Sequence, residues 1–116
     1  MLEGPRNIDN YIYNNRIEGA RGQGMFLMHC EKFLIAKNTI SSNYNGIACV
    51  TSVVNIEDNL ISNNKCNGIM LVDDCQVLMS ENTFTGNRKA GFVSRNSSRA
   101  KMRLNKFEGN TIEAVA

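Results

Sequence analysis

Apolar and polar residues alternate along this chain in short runs, and the runs recur around one phrase, Asn-x-(Ile or Phe)-x-x-Asn. The phrase begins at Asn10, Asn38, Asn59, Asn82 and Asn105, with starts 28, 21, 23 and 23 residues apart. Following the period-two alternation outward from each phrase divides a repeat into three short strands. In the repeat that begins at Asn59, Ile61 faces inward, Asn64 turns the chain, and Gly68-Ile69-Met70-Leu71-Val72 forms a second strand. Asp73 and Asp74 make the next turn, and Val77-Leu78-Met79 forms a third strand ending at Asn82. The second strand starts again on a Gly-apolar pair at Gly24-Met25, Gly46-Ile47 and Gly91-Phe92, with a weaker copy at Ala114-Val115. The third recurs as Phe33 and Ile35, Val54 and Ile56, Val77 and Met79, and Ala100 and Met102. A helix fits worse, because Asn and Gly at fixed positions are poor helix formers and β-branched residues fill many apolar slots.

A repeat of this length along most of a chain is the mark of a solenoid. The spacing differences read as edits to corners, where insertions are tolerated. The 21-residue repeat is one residue shorter before Gly46 and one shorter before Val54, and the 28-residue repeat carries five extra residues in the corner 16–23. The expected fold is therefore all-β: a single-stranded parallel β-helix of about four to five coils in one domain, residues 1–116. The pattern Asn-x-Ile-x-x-Asn-x-x-x-Gly-Ile resembles the right-handed parallel β-helix repeats of the pectate-lyase-like superfamily, over roughly residues 8 to 115. Right-handedness also follows from the general preference of parallel crossovers. The resemblance implies a fold more than an activity, because that family includes polysaccharide-cleaving enzymes, surface adhesins and non-enzymatic intracellular modules.

Stacked coils place like residues above one another. Met25, Ile47, Ile69 and Phe92 are expected to form one inward stack, and Ile12, Ile40, Ile61, Phe84 and Phe107 another. Asn10, Asn38, Asn59, Asn82 and Asn105 are expected to form a structural amide ladder at a corner, with the second Asn of each phrase doing the same. Outward on the second strand lie Phe26 and Met28, Ala48 and Val50, Met70 and Val72, and Val93 and Arg95. A water-facing sheet ordinarily presents polar residues, so an apolar outer row marks a contact surface. Phe26, Met28, Val50, Met70, Val72 and Val93 are the candidate interface, and Arg16, Glu18 and Arg21 in the longest corner are candidate loop contacts.

Composition adds little that is specific. Hydrophobic residues make up 42 % and aromatics 7 %, and the net charge is +2 with both signs scattered. Nothing there suggests a nucleic-acid groove or a membrane anchor. Seventeen Asn against one Pro is the anomaly, and it fits repeated corners. Cys30, Cys49, Cys66 and Cys75 show no C-x-x-C spacing, and the absence of a secretory signal favours free thiols and an intracellular setting. Residues 1–7 fit no repeat and read as a tag or an end cap, and the chain as one that an excision from a larger protein would yield.

Catalytic chemistry finds little support. Asp73-Asp74 and Glu57-Asp58 are the adjacent acidic pairs, but none of the companion motifs of polygalacturonases accompanies them, and turn capping explains Asp73-Asp74. His29 is the only histidine, which rules out a His-based metal cluster within one chain. The stretch 19–24 is Gly-rich but lacks the Lys-Ser/Thr ending of a phosphate loop. Asn96-Ser97-Ser98 is a formal glycosylation acceptor. No catalytic residue, cofactor or metal is assigned. The expected role is a non-enzymatic interaction or assembly module that binds a protein or itself through the apolar face or its open coil ends. The alternative is a carbohydrate-binding β-helix or a remnant of a polysaccharide lyase or hydrolase, with Tyr11 and Tyr13 as the neighbouring aromatics.

Overall fold

The computed structural model describes residues 8–115, so the reading of residues 1–7 as a tag or cap falls outside them. Strand β1 (Asn10–Tyr13) leads into β2 (Arg16–Glu18), β3 (Gln23–Met28) and β4 (Glu31–Ala36). The same turn repeats as β5 (Thr39–Ser41), β6 (Asn45–Val50) and β7 (Val53–Glu57), then as β8 (Leu60–Ser62), β9 (Ile69–Val72) and β10 (Gln76–Ser80). It repeats once more as β11 (Thr83–Thr85), β12 (Ala90–Ser94) and β13 (Arg99–Arg103), before β14 (Lys106–Glu108) and β15 (Ile112–Val115). Each strand pairs in parallel with the equivalent strand one coil away. Three five-stranded sheets result: sheet A (β1-β4-β7-β10-β13), sheet B (β2-β5-β8-β11-β14) and sheet C (β3-β6-β9-β12-β15). Fifteen strands in three sheets amount to five whole turns of a solenoid.

The register explains why an apolar residue recurs at each inward slot. Ile17, Ile40, Ile61, Phe84 and Phe107 pile up on sheet B, and the last two rings stack with centroids 4.6 Å apart and planes within 6°. Ile12, Ile35, Ile56, Met79 and Met102 form the column on sheet A. Met25, Ile47, Ile69, Phe92 and Ala114 form the column on sheet C. The central members of all three columns are fully buried. Each such side chain contributes about 1.5–3 kcal/mol of transfer free energy.

The first coil departs from the expectation. β1 belongs to sheet A, where Asn10 pairs with Phe33 and Ile12 with Ile35, so neither joins the columns of the phrase. The ladder residue of this coil is Asn15, whose amide N–H donates to Asn38 Oδ1 at 2.8 Å. Counted from Asn15, the first repeat is 23 residues long, as are those that begin at Asn59 and Asn82, and the supposed insertion disappears. The true phrase is Asn15-Arg16-Ile17-Glu18-Gly19-Ala20, which a search for a second Asn misses because Ala20 takes its place. Asn10-Tyr11-Ile12-Tyr13-Asn14-Asn15 satisfies the pattern by coincidence.

Left-handed backbone does occur at the corners, but not at the ladder asparagines. The residue just before each ladder asparagine adopts it: Asn14, Lys37, Asp58, Glu81 and Leu104 have φ of 61°, 55°, 58°, 55° and 57°. A second column of left-handed residues precedes the other ladder, at Gly19, Ser42, Asn63, Gly86 and Gly109. The asparagines themselves hold these corners closed through their side chains. Asn59 Nδ2 donates to Ile35 O at 2.9 Å and to Asn82 Oδ1 at 2.9 Å, and Asn59 Oδ1 accepts from the N–H and Nδ2 of Asn38. Buried corner carbonyls and amides that the sheets cannot pair are satisfied in this way.

Candidate functional site

The chemistry-bearing residues lie in turns or in the core. Asp73 and Asp74 are consecutive left-handed turn residues, and Asn96 Nδ2 donates to Asp73 Oδ1 at 2.9 Å. Asp58 sits at a corner with its carboxylate 3.8 Å from Lys37 Nζ. His29 is an exposed turn residue with φ of 54°. All four cysteines are free thiols, and Cys49 and Cys75 are buried. Burial, reinforced by the neighbouring Cys75 and Cys30, pushes the Cys49 thiol far above its ordinary value. A nucleophile needs a lowered thiol, so Cys49 is placed as a packing residue.

The candidate loop contacts are corrected by the new phase of the first coil. Arg16 and Glu18 are exposed, but they stand on β2, paired with Thr39 and Ser41, and not in an expanded corner. Arg21 alone remains in a turn. A third row of hydrogen bonds, which the repeat phrase did not reveal, runs through Gln23, Asn45 and Asn67 on the way into sheet C. Asn45 Nδ2 donates to Gln23 Oε1 at 3.2 Å, and Asn45 Oδ1 accepts from the Asn67 amide at 3.0 Å. The available signal was that these residues precede Gly24, Gly46 and Gly68.

The outer row of sheet C is graded. Phe26 and Met28 on edge strand β3 are 53 % and 50 % exposed, Val50, Met70 and Val72 are half-buried, and Val93 is only 3 % exposed. Val93 is therefore removed from the candidate interface: flanked by Met70 and Val115 in its row, it has no free surface to offer. The outward residues Asn55 and Leu78 of sheet A are as buried as the core.

Exposed apolar surface gathers at the ends of the coil stack. Ten large hydrophobic side chains are exposed among the described residues, and eight of them lie on the first or last coil. Tyr11, Tyr13, Phe26 and Met28 mark the N-terminal end, and Met102, Leu104, Ile112 and Val115 the C-terminal end. At the latter, Met102 is 42 % exposed, although Met79, Ile56 and Ile35 beneath it in the same column are fully buried. With Leu104, Phe107 and Ala114 it lines an open hollow of about 340 Å3. Strands β13, β14 and β15 each have a sheet neighbour on one side only, as do β1, β2 and β3. Such edges are ready to pair with further strands.

The ladders give the two ends different chemistry. Each coil's asparagine donates its backbone N–H and a side-chain N–H to the Oδ1 of the next coil's asparagine, from Asn15 through Asn38, Asn59 and Asn82 to Asn105. Asn105 thus ends the row with its backbone N–H and one Nδ2 proton unmatched among the described residues, and Asn15 begins it with an Oδ1 that accepts nothing there. The parallel row from Asn43 through Asn64 and Asn87 ends at Asn110 in the same way. At its start, the Ala20 N–H donates to Asn43 Oδ1, but Ala20 has no side-chain oxygen to accept with.

A family model described as a right handed beta helix region matches residues 4–114. No curated protein and no solved structure is found to match the chain.

Proposed function

The chain belongs to the right-handed β-helix family, and from that premise we propose that it is a non-enzymatic interaction and assembly module that engages further β-helical coils at its ends. The fold itself serves lyases and non-enzymes alike, so the reading rests on the surface. One observation carries it. Core columns that are fully buried at mid-length emerge into solvent at Met102 and Phe107 on β13 and β14, beside three strand edges unpaired among the described residues. A side-on partner would need exposed large apolar residues along the flanks, where only Tyr44 and Leu60 lie among the described residues.

Appending a duplicate of residues 95–116 after Ala116 tests whether this end accepts a coil. If it does, the duplicate docks: amides of β13, β14 and β15 become protected from hydrogen exchange and the thermal midpoint rises. A duplicate that stays fast-exchanging, with the midpoint unmoved, overturns the reading. The carbohydrate alternative draws on Tyr11 and Tyr13, which are 65 % and 53 % exposed and point outward side by side from β1. Binding on a glycan array that disappears with Tyr11→Ala and Tyr13→Ala would favour it.

A further inference from the structure

We propose that the occupant of the C-terminal end is the N-terminal end of a second copy of this chain, head to tail, with β13, β14 and β15 pairing in parallel with β1, β2 and β3 of that copy. The proposal rests on the end-docking role above and specifies its partner. The five whole turns supply the phase. The described strands run from β1 in sheet A to β15 in sheet C, five to each sheet. A second copy placed by translation along the axis therefore continues all three sheets without a missing or doubled strand.

Side chains match in the same register. Met102 meets Ile12 of the second copy, Phe107 meets Ile17, and the small Ala114 faces the long Met25, which continues each inward column. Outside, Val115 comes beside Phe26, two of the exposed apolar residues. Lys101 and Arg103 come beside Tyr11 and Tyr13, where a cation over an aromatic face is favourable. On sheet B, Lys106 lies beside Arg16 and Glu108 beside Glu18, two like-charge contacts that oppose the joint and that the Lys106–Glu108 ion pair within β14 softens.

The ladder sets the direction. The Asn105 donors left unmatched among the described residues meet the Asn15 Oδ1, which accepts nothing there, only if tail meets head. Two tails would set donors against donors, and their strands would run antiparallel, which breaks the columns. The joint presents different patches on its two sides, so stacking is open-ended and not closed at a dimer.

Light scattering across a concentration series decides the matter. The full chain is expected to rise in mass without a plateau. Val115→Glu blocks the tail and Phe26→Glu the head, both at exposed positions, and each weakens self-association roughly tenfold or more by desolvating an unpaired carboxylate. An equimolar mixture of the two regains one intact joint and stops at the heterodimer. Ala20→Asn supplies the acceptor that Asn110 lacks and tightens the joint. Met70→Glu, on the flank, leaves it unchanged. A chain that stays monomeric throughout, a Phe26→Glu variant that still self-associates, an Ala20→Asn variant no tighter than the parent, or association lost in Met70→Glu overturns the head-to-tail joint. The duplicated-coil experiment is read separately, so a monomeric chain whose appended coil docks leaves the end-docking role standing with a different partner.

Discussion

An asparagine at a β-helix corner has a side chain short enough to fold back on the corner and an amide that both donates and accepts. Asn59 uses all of this: with 2 % exposure, it joins Asn38 below, Asn82 above and the carbonyl of Ile35. Asn59→Ala leaves the buried Asn38 backbone N–H without its acceptor, at about 1–3 kcal/mol, and also removes a donor from the Ile35 carbonyl and from Asn82 Oδ1. The expected loss is about 3–5 kcal/mol in urea denaturation. Asn105→Ala, at the half-exposed end of the same row, is expected to cost about 1 kcal/mol because water replaces what is lost. Equal losses at the two positions would contradict the account. The left-handed conformation that asparagine tolerates is used elsewhere, by Asn14, Asn63 and Asn96, and even by Lys37, Glu81 and Leu104. A β-unbranched residue suffices at that corner because the ladder asparagine next to it pins the backbone in place.

The coil, more than the strand, is the unit the chain repeats, and its legibility depends on how many slots a given coil fills. Coils starting at Asn38, Asn59 and Asn82 keep both asparagines and the glycine, and their strands and inward columns can be read from the sequence directly. The first coil keeps one asparagine, so a neighbouring decoy at Asn10 fitted the phrase better than the true start at Asn15. The distance to the glycine was the overlooked signal: Gly24, Gly68 and Gly91 each lie nine residues after the ladder asparagine, and Gly46 eight. That glycine is fixed by backbone contact between coils. A Cβ on Gly46 would sit 2.5 Å from the Gly68 carbonyl oxygen and 2.9 Å from Ile61 Cγ2. Gly46→Ala is therefore expected to cost about 1–3 kcal/mol by thermal denaturation. Gly22→Ala, where a Cβ meets nothing within 4 Å, should leave stability near the parent's. The outer surface was less legible than the core. Alternation tells which residues point outward, but whether Val93 or Met28 stays uncovered depends on the neighbours that surround each, and a repeat phrase does not encode them.

At the scale of the whole molecule, each coil touches only the coils above and below it, so stability is a sum of coil terms and interface terms. Interior coils have two interfaces and terminal coils one. Local opening should therefore cost least at the ends and most near β8 and β9, which have sheet neighbours on both sides and the fully buried Ile61, Ile69 and Leu71 between them. In dilute solution, hydrogen exchange is expected to be slowest for amides of β6, β8 and β9 and fastest for β14 and β15, where Phe107 is only half-buried and Ile112 exposed. Head-to-tail stacking adds the missing interface to both ends at once. The fast amides of β14 and β15 should then slow as concentration rises, together with those of β2 and β3 and not before them, while β8 and β9 stay as they were. A flat exchange profile would contradict the one-dimensional account of stability. Slowing at one end alone would point to a partner that covers the tail without offering it a matching head.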